Sequence, residues 1–511
     1  MLDLLMFAGL VVGILTGFPV AFAIAGVAIL FALIGAATGA FDLALLGALG
    51  QRVFGIMTNQ VLVAIPLFVF MGIVLEKSRI AEELLTTMGR LFGPIRGGLG
   101  VSVVIVGALL AASTGIVGAT VVAMGLIALP AMLRAGYAPP LGAGIVATSG
   151  TLGQIIPPST LLIILSEVMS NAYQQAQFAA GKFTVETISV GQTFAAALLP
   201  GLTLVAIYIL YLFGRALIRP SDLPALNEGE RVSPGEILSV IVPPLALILA
   251  VLGSILGGVA TPAEAAAVGA VGAVLLAGAR MGRTTPMALA ALSLVGAVVL
   301  SSLYPIRLQR ADTDTTDLVV AAVAIALLAV GIAGLLVALV RLLRAGQLWQ
   351  VARGTMTVTS MIFATIITAS MFSLVFVGLG GETRIAEILD SMPGGATGAL
   401  IFAMALIFVL GFFLDFVEIS VILLPLVVPV LIAMGHDPTW LAVLIAINLQ
   451  TSFLTPPFGF SLFYLRGAAP PEVTTGHIYR GVAPFIALQA VGVAVVWLFP
   501  WLATALPAWL Y

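Results

Sequence analysis

Two carboxylates lie in a stretch of the chain that is otherwise almost wholly apolar, residues 411–459. Asp415 and Glu418 are one helical turn apart, and the stretch ends in the pair Pro456-Pro457. An ionisable side chain in lipid costs about 3 kcal/mol, so it normally faces a partner, an ion or a water-filled cavity. A proline pair also frees backbone carbonyls that protein, water or a ligand must satisfy. The pattern predicts that Asp415 coordinates a cation or couples protons, or that it caps a helix N-terminus. Glu418 either shares the coordination or coupling role or lies on an exposed face.

The same design occurs earlier in the chain. The segment LPAMLRAGY (129–137) precedes Pro157-Pro158, just as VPVLIAMGH (428–436) precedes Pro456-Pro457, and one offset of 299 residues superposes their prolines and glycines. Upstream, SRIAE (78–82) returns as TRIAE (383–387) at an offset of 305. Two repeats that each carry a broken helix indicate a secondary transporter with its site at the repeat interface.

Composition places the chain in a membrane. Of 511 residues, 61% are hydrophobic and 8% are charged, which is typical of a polytopic helical membrane protein. The net charge of -2 argues against nucleic acid as a partner. The absence of cysteine excludes disulfides and thiolate metal sites, and two histidines cannot form a His-rich metal site by themselves. The N-terminus lacks a basic region and a cleavage site, so we expect it to be retained rather than removed as a signal peptide.

Two interrupted apolar segments predict re-entrant hairpins. Residues 99–133 are interrupted at Ser113, Thr114 and Gly115, and each half is about a dozen residues, too short to span a bilayer. The second hairpin covers 396–433, with its tip near Asp415. The predicted fold is therefore an all-α polytopic membrane protein with two re-entrant helical hairpins and two broken helices.

Loop charges predict that the two repeats are inverted. Arginines concentrate in loops assigned to the cytoplasm, and they put residues 76–98 inside and residues 382–391 outside. Residues 35–60 are expected to be a Gly-rich connector, and a single final span is expected from 482 to about 507. The predicted division is: scaffold spans 1–75; cytoplasmic arm helix 76–98; first transport half 99–169; scaffold spans 190–285; an additional two-span insertion 286–345; scaffold span 346–378; periplasmic arm helix 379–394; second transport half 395–466; C-terminal span 482–511.

The tips and the Pro-Pro breaks bring together oxygen atoms that suit a small hard cation, whereas helix N-termini suit a carboxylate. These oxygens belong to small polar side chains at matched positions of the two repeats, which alternatively serve only to pack helices. They are Ser113, Thr114, Thr148, Ser149 and Thr151 in the first repeat, and Asn448, Thr451, Ser452 and Thr455 in the second. From this set, Ser149, Thr151, Asn448 and Thr451 are the predicted substrate contacts. Glu264 and Glu167 are expected to be structural or interfacial, and His436 a loop residue.

Other function classes lack their motifs. An intramembrane aspartyl protease would need a Gly-x-Gly-Asp stretch and a second aspartate in a Tyr-Asp pair, and neither accompanies Asp415. No Ser/His pair, zinc set or repeated channel filter sequence occurs. An enzyme therefore remains only a remote alternative.

As an ordered set, several motifs resemble the large membrane subunit of tripartite ATP-independent periplasmic (TRAP) transporters. The resemblance covers residues 1–280 and 345–505, and it rests on the tip at 113–115, LPAMLRAGY, SGTLGQIIPPST (149–160), GFFLDFVEISVILLPLVVPVL (411–431) and NLQTSFLTPPFGFSLFYLRG (448–467).

The resemblance implies a sodium-driven importer of organic acids in the bacterial inner membrane, with an ion-transporter-like elevator fold. It also implies two partners: a small four-helix membrane subunit and a soluble periplasmic binding protein. The sodium sites, two or more, would be formed by Ser113, Thr114, Gly115, Gly153 and Pro157, and by Asp415, Thr451, Thr455 and Pro456. The two spans at 286–340 depart from the common pattern of this subunit. A stand-alone divalent-anion/sodium symporter is the alternative.

Overall fold

The computed structural model describes residues 2–114, 117–182, 184–225, 232–304 and 315–511, without the side chains of 111–114. Within these ranges every regular element is a helix. The first four α-helices are α1 (Leu2–Leu15), α2 (Val20–Ala37), α3 (Leu49–Thr58) and α4 (Gln60–Lys77). The prediction of a plain connector at 35–60 is wrong, because a 3-10 turn at Leu43–Ala48 and α3 occupy it. Asp42 starts the turn by accepting the N–H of Ala44 at 2.9 Å.

The first repeat follows. Its elements are α5 (Ile80–Phe92), α6 (Gly98–Thr114), α7 (Val117–Arg134), α8 (Pro139–Thr151), α9 (Thr160–Ala179) and α10 (Val190–Ile218). Helices α6 and α7 form the expected hairpin, but they contain 17 and 18 residues rather than a dozen each. The expectation was wrong because the helices extend into the expected interruption: α6 continues to Thr114, and α7 begins at Val117. Their length alone therefore does not establish that the hairpin is re-entrant.

The middle of the chain begins with one short helix and continues with longer ones. They are α11 (Pro234–Val240), α12 (Val242–Leu256), α13 (Pro262–Arg280), α14 (Thr285–Leu303), α15 (Thr315–Arg344) and α16 (Gln347–Gly378). Helices α14 and α15 are the two additional spans. They pack on each other and on α13. Helices α11 and α12 meet at an angle of 41°, and the N-terminal turn of α12 holds Pro243 and Pro244.

The second repeat completes the chain. Its elements are α17 (Gly381–Asp390), α18 (Gly395–Leu410), α19 (Phe416–Ala433), α20 (Pro438–Leu454), α21 (Phe460–Ala468), α22 (Thr475–Leu498) and α23 (Trp501–Leu510). The expected single span at 482–507 is instead two helices. The interruption falls at Phe499 and Pro500, where proline lacks the N–H that would continue the helix. In the described ranges ten helices are long and apolar enough to cross a membrane: α2, α4, α7, α10, α13, α14, α15, α16, α19 and α22.

The two hairpins end in the same turn. Gly136 and Gly435, 299 residues apart, adopt φ values of +85° and +98°, a left-handed conformation that glycine enters without steric cost. Each glycine N–H donates to the carbonyl three residues earlier, at 3.0 and 2.9 Å. The N–H of the next residue, Tyr137 or His436, donates to the carbonyl five residues earlier, at 3.0 and 3.3 Å. These bonds satisfy the last carbonyls of α7 and α19 and turn the chain into the broken helix.

The short helices before the hairpins are also built alike. Helix α5 follows a left-handed Arg79 and α17 follows a left-handed Gly380, so the starts of the two helices match at an offset of 301. The SRIAE and TRIAE strings are therefore displaced by one helical turn relative to the helices that contain them. Both helices are joined to neighbouring helices by ion pairs, which are Arg90–Glu236 at 2.7 Å, Arg280–Glu83 at 2.8 Å and Arg384–Asp3.

The hairpins and broken helices of the two repeats pack crosswise. Helix α7 of the first hairpin packs on α21 of the second broken helix, and α19 of the second hairpin packs on α9 of the first. Helices α8 and α20 also contact each other. Helices α10 and α22, which follow the broken helices, pack on α20 and α8, respectively. Each Pro-Pro break is therefore flanked by elements from both halves of the sequence.

Candidate functional site

The first break is sealed inside the protein. Helix α8 ends at Thr151, a single 3-10 turn follows at Leu152–Gln154, and α9 begins at Thr160. All residues from 151 to 160 are buried, including the predicted Gly153 and Pro157. Ser149 lies where α6 approaches most closely: a Cβ atom at Gly107 would come within 2.6 Å of the Ser149 Cβ atom. Glycine at 107 thus allows the hairpin to pack directly on the end of α8.

The second break is partly open. Helix α20 ends at Leu454, and Pro456 is half-buried, whereas Pro457 and Phe458 are exposed. The Thr455 hydroxyl donates to the Thr451 carbonyl at 2.8 Å. The Thr451 hydroxyl donates to the carbonyl one turn earlier, also at 2.8 Å. Each hydroxyl proton is thereby held on the helix itself, and the oxygen lone pairs remain available to a cation.

A hydrogen bond joins the two breaks. Gln450 Nε2 donates to Thr151 Oγ1 at 3.2 Å, and Thr151 in turn donates to the Thr148 carbonyl at 2.8 Å. Gln450 and Thr151 are 299 residues apart, the same offset that superposes the two repeats. Two corresponding positions therefore meet at the repeat interface. Sequence reasoning selected Thr151 but not Gln450, although the offset would have paired them.

In the described part of the chain, buried side-chain polar atoms without a hydrogen-bond partner occur at several places, including Gln347, Thr355 and Thr359 of α16. Those in or next to the breaks are Thr148 Oγ1, Ser149 Oγ, both amide atoms of Gln154, Thr160 Oγ1 and Gln450 Oε1, and Ser420 Oγ of α19 is another. An unsatisfied buried polar group costs about 1–3 kcal/mol, so a set of them is either a liability or a site for a ligand. Most are oxygens, which is the donor type that small hard cations prefer. Gln154, Thr160, Ser420 and Gln450 were missed as candidates from the sequence.

Asp415 caps a helix. It is the N-cap of α19, its Oδ1 accepts the N–H of Phe416 at 2.7 Å, and Glu418 accepts the N–H of Asp415 in return. This reciprocal pair is a capping box, and it buries Glu418. The capping role is therefore observed, and Glu418 shares it rather than lying on an exposed face. Cation coordination by Asp415 stays a prediction.

The remaining predicted residues divide into three groups. The side chains of Ser113 and Thr114, and Gly115 as a whole, lie outside the described residues. Asn448 Nδ2 donates to the Met404 carbonyl at 2.7 Å and so ties α20 to α18. Among the described residues, Thr451, Thr455 and Pro456 form no hydrogen bond with the first break. The hydrogen bond that joins the breaks in the described part of the chain is the one from Gln450 to Thr151.

The carboxylates and the histidine that were expected to be structural have structural partners. Glu167 accepts the Asn59 side-chain amide at 2.9 Å, Glu264 forms a capping box with Thr261, and the ring of His436 lies 3.1 Å from the Ala396 carbonyl. In the described ranges no three His, Asp or Glu side chains come together as a metal site would require.

An outer cavity lies beside the second hairpin. It measures about 380 Å³ and is enclosed by α3, α4, α9, α16 and α19. Its apolar walls include Val421 and Pro425 of α19, and its polar groups include Arg52, Asn59 and Glu167. The Asn59–Glu167 hydrogen bond crosses from α4 to α9, which are predicted to belong to the scaffold and to the first transport half, respectively. The cavity therefore lies along that predicted boundary.

Comparison with known proteins identifies the family. Residues 7–502 match the family model of the tripartite ATP-independent periplasmic transporter, DctM component. The chain belongs to this TRAP family. It is thus a large permease subunit of a transporter rather than an enzyme, and a multi-pass protein of the bacterial inner membrane.

Individual relatives agree with the family. The C4-dicarboxylate TRAP large permease DctM of Vibrio cholerae is 27% identical over 90% of this chain and 89% of its own. The ectoine TRAP large permease TeaC of Halomonas elongata is 25% identical over 86% and 85%. The sialic acid TRAP large permease SiaM of Vibrio cholerae is 25% identical over 96% and 95%.

A solved structure supports the fold alone. The YdaH transporter of Alcanivorax borkumensis aligns with a TM-score of 0.55 over 90% of this chain and 88% of its own, at 15% identity.

Proposed function

We propose that this TRAP subunit imports a small organic acid together with sodium ions. The acid is delivered by a periplasmic binding protein, and a small four-helix membrane subunit completes the transporter. Relatives are named for C4-dicarboxylates, ectoine and sialic acid. These three names define the substrates to be tested first.

The observation that carries the proposal is the junction of the two breaks. Thr151 and Gln450 join corresponding positions of the two repeats, and Thr148, Ser149 and Gln154, within three residues of Thr151 in the chain, carry buried, unpartnered oxygens. Broken helices that meet at a repeat interface hold substrates and coupling ions in secondary transporters. A sodium ion supplies positive charge, and the unpartnered oxygens can coordinate it. The chain's own residues hold those oxygens in place through α8, α20 and the hairpin contact at Gly107.

The crosswise packing supports an elevator movement with inverted repeats. Because α7 packs on α21 and α19 packs on α9, sliding one repeat past the other would uncover broken backbone in lipid. The hairpins and broken helices therefore move as one block. The ion-paired helices α5 and α17 act as arms that connect this block to the scaffold.

Reconstitution tests the proposal. Proteoliposomes should contain the chain with its small subunit, and the loaded binding protein should be added outside with succinate, ectoine or sialic acid. We expect uptake of one of them under an inward sodium gradient, and none when the small subunit or the binding protein is omitted. Replacement of sodium by potassium should abolish that uptake. Strong uptake by the isolated chain would instead indicate the stand-alone symporter, and uptake that is equal in potassium would contradict sodium coupling.

A further inference from the structure

An apolar cavity of about 750 Å³ lies between α12, α13 and α14. Helices α12 and α14 both pack on α13, and the space between them forms the cavity. Its walls are aliphatic, with Leu247 from α12, Leu276 from α13 and Ala291 from α14. Ala246 and Val295 on the two flanking helices are exposed, so the cavity opens sideways toward the bilayer. Helix α14 belongs to the additional pair of spans, which thus supplies one wall.

One end of this cavity is polar and basic. Arg280 forms an ion pair with Glu83 of the arm helix α5 at 2.8 Å and donates to the Ser239 carbonyl at 2.9 Å. Arg341 reaches the same helix end, where it donates to the carbonyls of Gly278 at 2.7 Å and Arg283 at 3.1 Å.

Arg280 therefore lines this end of the cavity, and Arg341 is bound to the backbone of the same helix end and of the loop that follows it. The loop that contains Arg283 is on the side that the arginine pattern assigns to the cytoplasm.

The chemistry of the cavity selects its occupant. Water does not fill a dry aliphatic cavity, because it would find too few polar partners there. An empty cavity would forfeit the dispersion contacts of its walls, so a hydrocarbon chain that enters from the bilayer is favoured. Arginine binds phosphate through paired N–H groups, and basic pockets between spans on the cytoplasmic side attract anionic headgroups.

We propose that this cavity binds an anionic phospholipid of the inner leaflet. One acyl chain lies between α12 and α14, and the phosphate lies at Arg280. Because Ile80 and Glu83 of α5 also line the cavity, the lipid contacts the arm and the scaffold together. The proposal does not depend on the transported substrate.

Native mass spectrometry of the purified full chain tests this proposal. The probes are phosphatidylglycerol and phosphatidylcholine with identical acyl chains, added to delipidated protein. We expect the wild type to retain phosphatidylglycerol about tenfold more strongly, which is the effect of one charge-assisted pair. Arg280→Gln should remove this preference, and Arg280→Lys, which keeps the charge, should retain part of it. Arg353→Gln, an exposed arginine outside the cavity, is the matched control and should leave the preference unchanged.

A second pair of variants tests the acyl-chain site. Ala291→Phe fills the cavity and should reduce retention of both lipids, whereas Ala322→Phe adds the same bulk on an exposed face of α15 and should not. A single symmetric peak in size-exclusion chromatography verifies that each variant is folded. Equal retention of the two lipids by the wild type, or unchanged retention in Ala291→Phe, would overturn the proposal. Displacement of the lipid by the small subunit, with loss of subunit binding in Ala291→Phe, would identify a protein helix as the occupant and would also overturn it.

Discussion

The two Pro-Pro breaks share their sequence landmarks but differ in their surroundings. Every residue of the first break is buried, and the amide of Gln154 has no hydrogen-bond partner in the described part of the chain. In the second break Pro457 and Phe458 are exposed, and the hydroxyls of Thr451 and Thr455 are held by carbonyls one turn earlier. The equal spacing of the sequence landmarks therefore determines where the two breaks lie. The packing around each break determines which of its polar groups are paired. The first keeps unpaired polar groups in the interior, while the second reaches the surface.

The largest expected effect is a difference in access between the breaks. The native chain has no cysteine, so single cysteines at Phe458, 44% exposed, and Ile156, 8% exposed, can be compared directly. We expect a membrane-impermeant thiol reagent to modify Phe458→Cys at least about tenfold faster, because labelling of a buried position requires local opening. With the reagent on one side of the membrane, sodium and substrate should change the two rates in the same direction if both breaks move as one block. Equal rates at both positions in every condition would refute the asymmetry.

The next expected effect concerns the orphaned amide of Gln154. Gln154→Met keeps the approximate volume and removes a buried polar group whose unsatisfied state costs about 1–3 kcal/mol. We expect the sodium-free variant to unfold at the same or a higher temperature than the wild type, and its stabilisation by sodium to disappear. Thermal unfolding in detergent with sodium or potassium measures both.

Thr455→Val serves as the matched variant in the second break. Its hydroxyl proton already has a partner, so we expect a loss of about 0.5–1.5 kcal/mol in potassium, and a further loss of sodium stabilisation if its lone pairs bind the ion. If sodium still stabilises Gln154→Met, then the first break is not part of the sodium site.

Much of the fold could be predicted because it is specified locally. Gly136 and Gly435, with the prolines that follow them, determine where hairpins end and helices break, and each acts through its own backbone. The meeting of Gln450 with Thr151 could not be derived with the same certainty, because it depends on how two distant halves pack. Helix α3 was missed because its glycines resembled a connector, although they lie in open space and do not prevent a helix. The interruption at Pro500 was visible in the sequence but was absorbed into a long apolar run.

A smaller effect separates the two roles of Asp415. Asparagine caps helices about as well as aspartate, so Asp415→Asn should leave the unfolding free energy nearly unchanged. Asp415→Ala removes the cap and should cost about 0.5–2 kcal/mol. If the carboxylate also binds sodium, Asp415→Asn should raise the sodium concentration needed for half-maximal uptake. An unchanged sodium dependence in Asp415→Asn, with the expected loss in Asp415→Ala, would leave capping as the whole role.

The smallest expected effect is the direct coupling between the breaks. The Gln450–Thr151 hydrogen bond is a buried neutral pair, which contributes about 0.5–1.5 kcal/mol to stability. Thr151→Val and Gln450→Leu each remove one partner, and each also disturbs other contacts, since Thr151 donates to the Thr148 carbonyl as well. A double-mutant cycle on the free energy of unfolding cancels those separate losses and isolates the pair. We expect the double variant to be more stable than the sum of the single losses predicts, by roughly that amount. Strict additivity would mean that the two repeats are held together by packing alone, and that the shared offset of 299 residues places these side chains side by side without an energetic link.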